Sequence, residues 1–189
     1  MKSFHPMLYG LMLLAFLTFA RGDAAEDVDV DEDVKRHTLV QVGETAPDFN
    51  GKTTDGRTMT LSALKGKVVV VYFFSTQVVP CIAEMSHLQS EVYEKLRNRD
   101  DFQLIGIGFG KGSTREELVI LGGENKFTFP LVPDADRQIY ERYFTKYAPR
   151  TVVIGKTGVI RYLASGYHEL TSIPKLQAAL ARELAVNAP

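Results

Sequence analysis

The chain carries one cysteine, Cys81, within Gln77-Val78-Val79-Pro80-Cys81, between a strand-like run and a helix-like run. A thiol at the start of a helix is placed for redox or nucleophilic chemistry, because the thiolate is the reactive form and a helix N-terminus stabilises negative charge. The helix contributes about 0.3–2 kcal/mol, and one pKa unit corresponds to about 1.4 kcal/mol, so the thiol could fall from near 8.5 to about 7. Burial acts in the opposite direction, by up to several units when complete. Cys81 shares a helical face with Met85, Leu88 and Val92, which points it inward, and no lysine or arginine adjoins it in sequence. The residues thus leave two readings open: a reactive thiol if wet, an inert packed one if dry. With no second thiol, an internal disulfide is excluded.

Other chemistry-bearing patterns resolve to structural readings. His37, His87 and His168 are isolated and lack metal-ligand spacing. Asp27, Asp29 and Asp31 resemble part of a calcium loop, but its glycine and closing glutamate are missing. Gly106, Gly108, Gly110 and Gly112 invite a dinucleotide reading, yet Lys111, Ser113 and Arg115 stand where the third glycine of each register would be. Glycines that relieve crowding at a strand-to-helix turn explain them better. Gly155-Lys156-Thr157 ends like a phosphate loop, but Arg150 holds the position of its first glycine, so Gly155 to Gly158 reads as a hairpin turn. No cofactor and no metal site is implied.

The elements that must position Cys81 follow from composition and period. Met7 to Ala20 is an apolar and small-residue run of 14 residues after a single basic residue, Lys2. A membrane span needs roughly 20 residues, so this is the core of a secretory signal, residues 1–22, with an uncleaved N-terminal anchor as the alternative. The chain is expected to be exported to the periplasm or another extracytoplasmic space, with no membrane span after cleavage. Residues 23–38 hold seven acidic residues and no aromatic one, which reads as a disordered linker. Removal of residues 1–22 leaves 20 basic against 23 acidic residues, a net charge of −3 that argues against nucleic acid as a partner. Residues 39–187 form one domain, expected to be monomeric and held by its core alone.

Within that domain, Lys67 to Phe74 is a continuous β-branched and aromatic run, the mark of a strand covered on both faces. Ile82, Met85, Leu88, Val92 and Leu96 recur at helical spacing after it. Phe102 to Phe109 reads as a second buried strand, Ser113 to Glu116 as a capping box, and Gly122-Gly123 as the stop of the helix it opens. Asp136 to Phe144 suggests a short helix. Thr151 to Ile154 and Val159 to Tyr162 make a hairpin, and Ser172-Pro174 starts a terminal helix. The fold class is α/β, a central mixed β-sheet flanked by helices on both faces.

This is the plan of a thioredoxin-like domain, and specific motifs sharpen the likeness. Gly43-Glu44-Thr45-Ala46-Pro47-Asp48-Phe49, Asp55-Gly56, Leu61 and Lys65-Gly66-Lys67-Val68-Val69 resemble the opening of the redoxin families. Phe129-Pro130 before Asp134, and Pro149-Arg150-Thr151 before Ile154 and Gly158, extend the match. These families include the exported thiol-disulfide oxidoreductases of the TlpA and ResA type and the AhpC/TSA-related peroxiredoxins. In the TlpA-like pattern W-C-x-P-C, the resemblance puts Val78 at the attacking cysteine, Cys81 at the resolving one, and Glu84 at the acid that moves protons beside the pair.

The resemblance also implies a cis Pro149 facing the motif, with Ala148 pairing its backbone to an extended substrate chain. Protein thiols or disulfides, or extended peptide segments, are the implied partners. Three functions follow: single-thiol redox exchange through Cys81 by mixed disulfide, a redox-inactive module that binds extended peptides, or a one-cysteine peroxidase in which Arg150 polarises the peroxide. The third lacks the family's hydroxyl, since Val78 stands at its threonine position. Arg150 also reads simply as a charge beside a strand.

Overall fold

The structure, a computed structural model, describes residues 32–186. The expected signal segment 1–22 and most of the linker lie outside the described residues. The linker's end is the exception: Glu32–Arg36 forms a short helix, α1, and Thr38 bridges to Phe144. The linker expected to run to residue 38 therefore gives way to ordered chain by Glu32. Main-chain bonds from Leu39 N to Tyr143 O (2.9 Å) and from Thr145 N to His37 O (3.1 Å) hold this segment down.

A small antiparallel ribbon, β1 (Asn50–Lys52) and β2 (Thr58–Thr60), precedes the main sheet. That sheet has the order β5-β4-β3-β6-β7, with β3 (Val68–Phe74), β4 (Phe102–Phe109), β5 (Leu131–Asp134), β6 (Arg150–Ile154) and β7 (Ile160–Ser165). β3, β4 and β5 are parallel, while β6 pairs antiparallel with both β3 and β7. Every residue of β3 is buried, as its unbroken apolar run requires of a central strand.

Alternation along β3 sorts the core into two layers. Val69, Val71 and Phe73 face a cluster with Tyr140, Tyr143, Phe144, Val152 and Ile154. Val68, Val70, Tyr72 and Phe74 face the other, with Cys81, Met85, Leu88, Leu118, Ile173, Leu176 and Leu180. The three main helices, α2 (Val79–His87), α4 (Arg115–Asn125) and α5 (Ser172–Ala185), all cover the second face. A π-helical segment, Leu88–Tyr93, and α3 (Glu94–Leu96) continue α2. The first face is covered by two 3-10 turns, Leu61–Leu64 and Tyr140–Arg142, and by the ribbon.

Three local expectations shift. The capping box is Thr114 with Glu117, one residue later than Ser113 with Glu116. Ser113 is buried and its hydroxyl donates to Phe109 O at 3.2 Å, so it is spent before the helix begins. α4 runs through Gly122-Gly123 and stops where Lys126 turns left-handed at φ 58. The helix expected over residues 136–144 shrinks to the 3-10 turn at Tyr140. There the Asp134 carboxylate accepts from Ile139 N at 3.0 Å and Tyr140 N at 2.8 Å, satisfying amides that a longer helix would have bonded internally.

Gly106 and Gly108 lie inside β4, not in the turn after it. A Cβ at Gly108 would meet Leu118 at 2.9 Å and Phe74 at 3.0 Å, and one at Gly106 would meet Leu131 at 2.8 Å. They let α4 and the aromatic side chains close on the sheet. Gly110 and Gly112 take positive φ in the turn itself.

Candidate active site

The chain leaves the centre of the sheet at Phe74 and turns through Ser75, Thr76 and Gln77. Val78 N donates to Ser75 O at 3.1 Å, and Val78, in extended conformation, is the N-cap of α2 without a side-chain cap. Pro80 falls in the first helical turn, where its missing N–H costs nothing. Cys81 N closes that turn onto Val78 O at 2.9 Å. Gln77, Val79 and Pro80 are exposed, Val79 with 80% of its surface free, and Val78 is half-buried.

Cys81 is the dry member of the motif, at 0% exposure, packed with Tyr72, Phe74 and Met85. Burial pushes its thiol up to about 11, and the neighbouring Glu84 charge adds to the shift. Contacts with the Ser75 backbone and the Tyr72 hydroxyl oppose it without reversing it. Desolvation therefore outweighs the helix N-terminus at this position.

Glu84, one turn on, is also buried at 3% exposure, and its Oε2 has no hydrogen-bond partner among the described residues. Burial holds its carboxyl up at about 7, with the Tyr72 hydroxyl pulling the other way. Tyr72 OH donates to Cys81 O at 3.0 Å. Burial first, and then the Glu84 charge, raises the Tyr72 phenol well above its usual range. Tyr72, Cys81 and Glu84 thus form one buried polar cluster beneath the start of α2. Sequence reading missed Tyr72. The available signal was a hydroxyl inside a strand covered on both faces, which must find a partner in the core.

The other expected residues divide. The Ala148–Pro149 peptide is cis. Ala148 packs against both core layers, and Pro149 O accepts from Gly166 N at 2.9 Å. Among the described residues, neither the amide nor the carbonyl of Ala148 has a hydrogen-bond partner. Arg150 does not join Cys81. It pairs with Phe73 across the strands and shares its side of β6 with Val152 and Ile154, so its side chain enters the first layer while Cys81 lies in the second. Its guanidinium stacks 4.5 Å over Phe144, and Nη2 donates to Thr38 Oγ1 at 3.1 Å. Among the described residues no cluster of three or more histidine, cysteine or acidic side chains could hold a metal ion.

The AhpC/TSA family model matches residues 42–163, which span the buried thiol, the buried acid and the cis-proline loop. The chain belongs to the AhpC/TSA family. It is 30% identical over 129 residues to the thiol-disulfide oxidoreductase ResA of Geobacillus thermodenitrificans, covering 68% of this chain and 72% of that one. It is also 30% identical over 136 residues to the thioredoxin-like protein YneN of Bacillus subtilis, covering 70% and 76%. Among solved structures, a Bacteroides thetaiotaomicron protein assigned as a protein disulfide isomerase superposes with a TM-score of 0.68 at 30% identity, over 77% of this chain and 93% of that one. The fold is that of the thioredoxin-like proteins, and the family relationship is to thiol-disulfide oxidoreductases. No helix among the described residues is long and apolar enough to cross a membrane.

Proposed function

We propose that this chain is an exported redoxin-family protein that has lost the dithiol cycle and retains the surface that receives an extended peptide. The apolar run Met7 to Ala20 supports export. Loss of the cycle rests on Val78 standing at the attacking position and on a Cys81 that is out of water, with its thiol pushed up to about 11. A thiol in that state is almost wholly protonated near neutral pH and is a poor nucleophile.

The observation that carries the binding reading is the unpaired main chain of Ala148. An N–H and a C=O left open beside a buried proline offer two hydrogen bonds to a chain in extended conformation, the bonding used in β-strand addition. The exposed Val79 and Pro80 and the half-buried Val78 put apolar surface at the start of α2, where the family's redox pair would be. The partner class is therefore an extended, apolar stretch of another protein. Single-thiol exchange would need Cys81 to reach solvent. Peroxidase chemistry would need Arg150 on the cysteine's side of the sheet.

Titration of the isotope-labelled mature protein with an unstructured valine- and threonine-rich peptide tests this reading. The amides of Ala148 and Val79 should shift together and saturate, and Val79→Asp should weaken binding. A full titration that leaves both amides in place refutes it.

A further inference from the structure

We infer that residues 32–38 and Arg150 together form a positioning strap that holds the loop Tyr147-Ala148-Pro149 in the conformation that presents the Ala148 main chain. The inference rests on the peptide-binding reading for its purpose, but its structural content stands separately.

Tyr147 has φ 73, left-handed backbone that a bulky side chain occupies only when its surroundings hold it there. Four contacts do so. The Tyr147 hydroxyl bonds to the Asp33 carboxylate. The ring meets the edge of His37 at a centroid distance of 5.8 Å, and the Arg150 guanidinium lies 5.9 Å from its centre. The carbonyl accepts from Tyr140 OH at 2.7 Å. Two of the four come from the segment ahead of the domain and a third from Arg150.

A five-residue helix has little stability of its own, so α1 is held by what it touches. His37 Nδ1 lies 2.6 Å from Thr145 Oγ1, and the main chain of residues 37–39 bonds to Tyr143 and Thr145. Arg150 is the joint between strap and loop. It is 2% exposed, and the two hydrogens of its Nη2 are shared among four oxygens within reach, Thr38 Oγ1 nearest at 3.1 Å, then His37 O (3.4 Å), Val34 O (3.5 Å) and Lys146 O (3.5 Å). Three of these acceptors belong to the strap, and the fourth immediately precedes Tyr147. No carboxylate pairs with this buried cation among the described residues, and its Nε has no partner. The aromatic faces of Phe144 and Tyr147, the Tyr140 hydroxyl, Lys146 O and the strap's oxygens compensate for its desolvation. Undocking the strap would remove three of the four oxygens around Nη2, so strap and loop order as one unit. On its far side, among the described residues, the loop's main-chain hydrogen bond is the one from Gly166 N to Pro149 O at 2.9 Å.

The test compares the full mature chain with its Asp33→Ala/His37→Ala double variant by amide hydrogen exchange. The Gly166 amide should exchange about tenfold faster in the variant and through an opening that urea hardly accelerates, whereas exchange of the β3 and β4 amides rises steeply with urea, because the Gly166 opening is local and exposes little surface. Tyr147→Phe, which removes only the hydroxyl contact, should give a smaller change in the same direction, and His37→Phe, which keeps the ring contact, should retain most of the protection. Binding of a fluorescein-labelled valine–threonine peptide with terminal lysines should weaken about fivefold in the double variant, with the folding constant lowered by no more than about the same tenfold. Unchanged Gly166 exchange overturns the inference, as does Gly166 exchange with the same urea dependence as β3 and β4. If the wild type fails to bind the peptide, the functional reading fails, while the exchange comparison still decides the strap.

Discussion

Cys81 should resist alkylation in the folded protein, and the size of the effect can be worked out. With the thiol pushed up to about 11 by burial, the thiolate fraction at pH 8 is about 0.1%. An unfolded chain, with its cysteine near 8.5, holds about 24% thiolate at the same pH, a ratio of about 240. The helix N-terminus is worth at most about 2 kcal/mol, or roughly 1.5 units, so it cannot bring a dry thiol back to neutrality. Packing at 0% exposure adds a steric barrier on top of the ionisation term. Mass-spectrometric labelling with iodoacetamide at pH 8 should therefore be at least about 200-fold slower in native protein than in urea, and should rise about tenfold per pH unit up to pH 10. A native rate within about tenfold of the unfolded rate would refute the reasoning. It would show that Cys81 reaches water, and the single-thiol exchange reading would take precedence.

Glu84 predicts a pH dependence of stability. Its folded value of about 7 lies above its ordinary 4.5, so the folded state holds the proton more tightly. Stability is fully present below about pH 4.5 and falls as pH rises through about 7, by about 3 kcal/mol at most. Urea midpoints at pH 5 and pH 8 should differ accordingly in the wild type and converge in Glu84→Gln; a slope that survives the substitution rules Glu84 out as its source. Val78→Cys should supply Cys81 with a partner thiol at the start of α2 and confer dithiothreitol-dependent insulin reduction. Absence of both disulfide and activity would contradict the placement of Val78 at the attacking position. Gly108→Ala should cost about 1–3 kcal/mol, because the new methyl meets Leu118 and Phe74 near 3 Å; an unchanged urea midpoint would mean that α4 gives way freely.

Much of the fold was legible because its signals are local. The run Lys67 to Phe74 could only be a covered strand, and the glycines of the 155–158 turn separate two β-rich segments whatever surrounds them. The misplaced details share a different property. Ser113 with Glu116 and Thr114 with Glu117 satisfy the same capping pattern, and only the burial of Ser113 chooses between them. Gly122-Gly123 looks like a stop, yet the helix continues where a small residue eases its approach to Leu131 of β5. Tyr140 and Tyr143 read as part of a helix, but the Asp134 carboxylate takes the amides at that corner.

The same division runs through the site. By itself the sequence determined that there is one thiol, that it opens a helix after a buried strand, and that the surrounding motifs are those of a redoxin, because each of these is a matter of residue type, spacing and order. Only the tertiary structure decided that Cys81 is dry, that Tyr72 completes its cluster with Glu84, that Arg150 enters the opposite layer, and that the Ala148 main chain is left open. Solvent access and facing depend on elements far apart in the chain, with β3, α2 and α5 closing over the thiol together, and no local pattern encodes their combined effect.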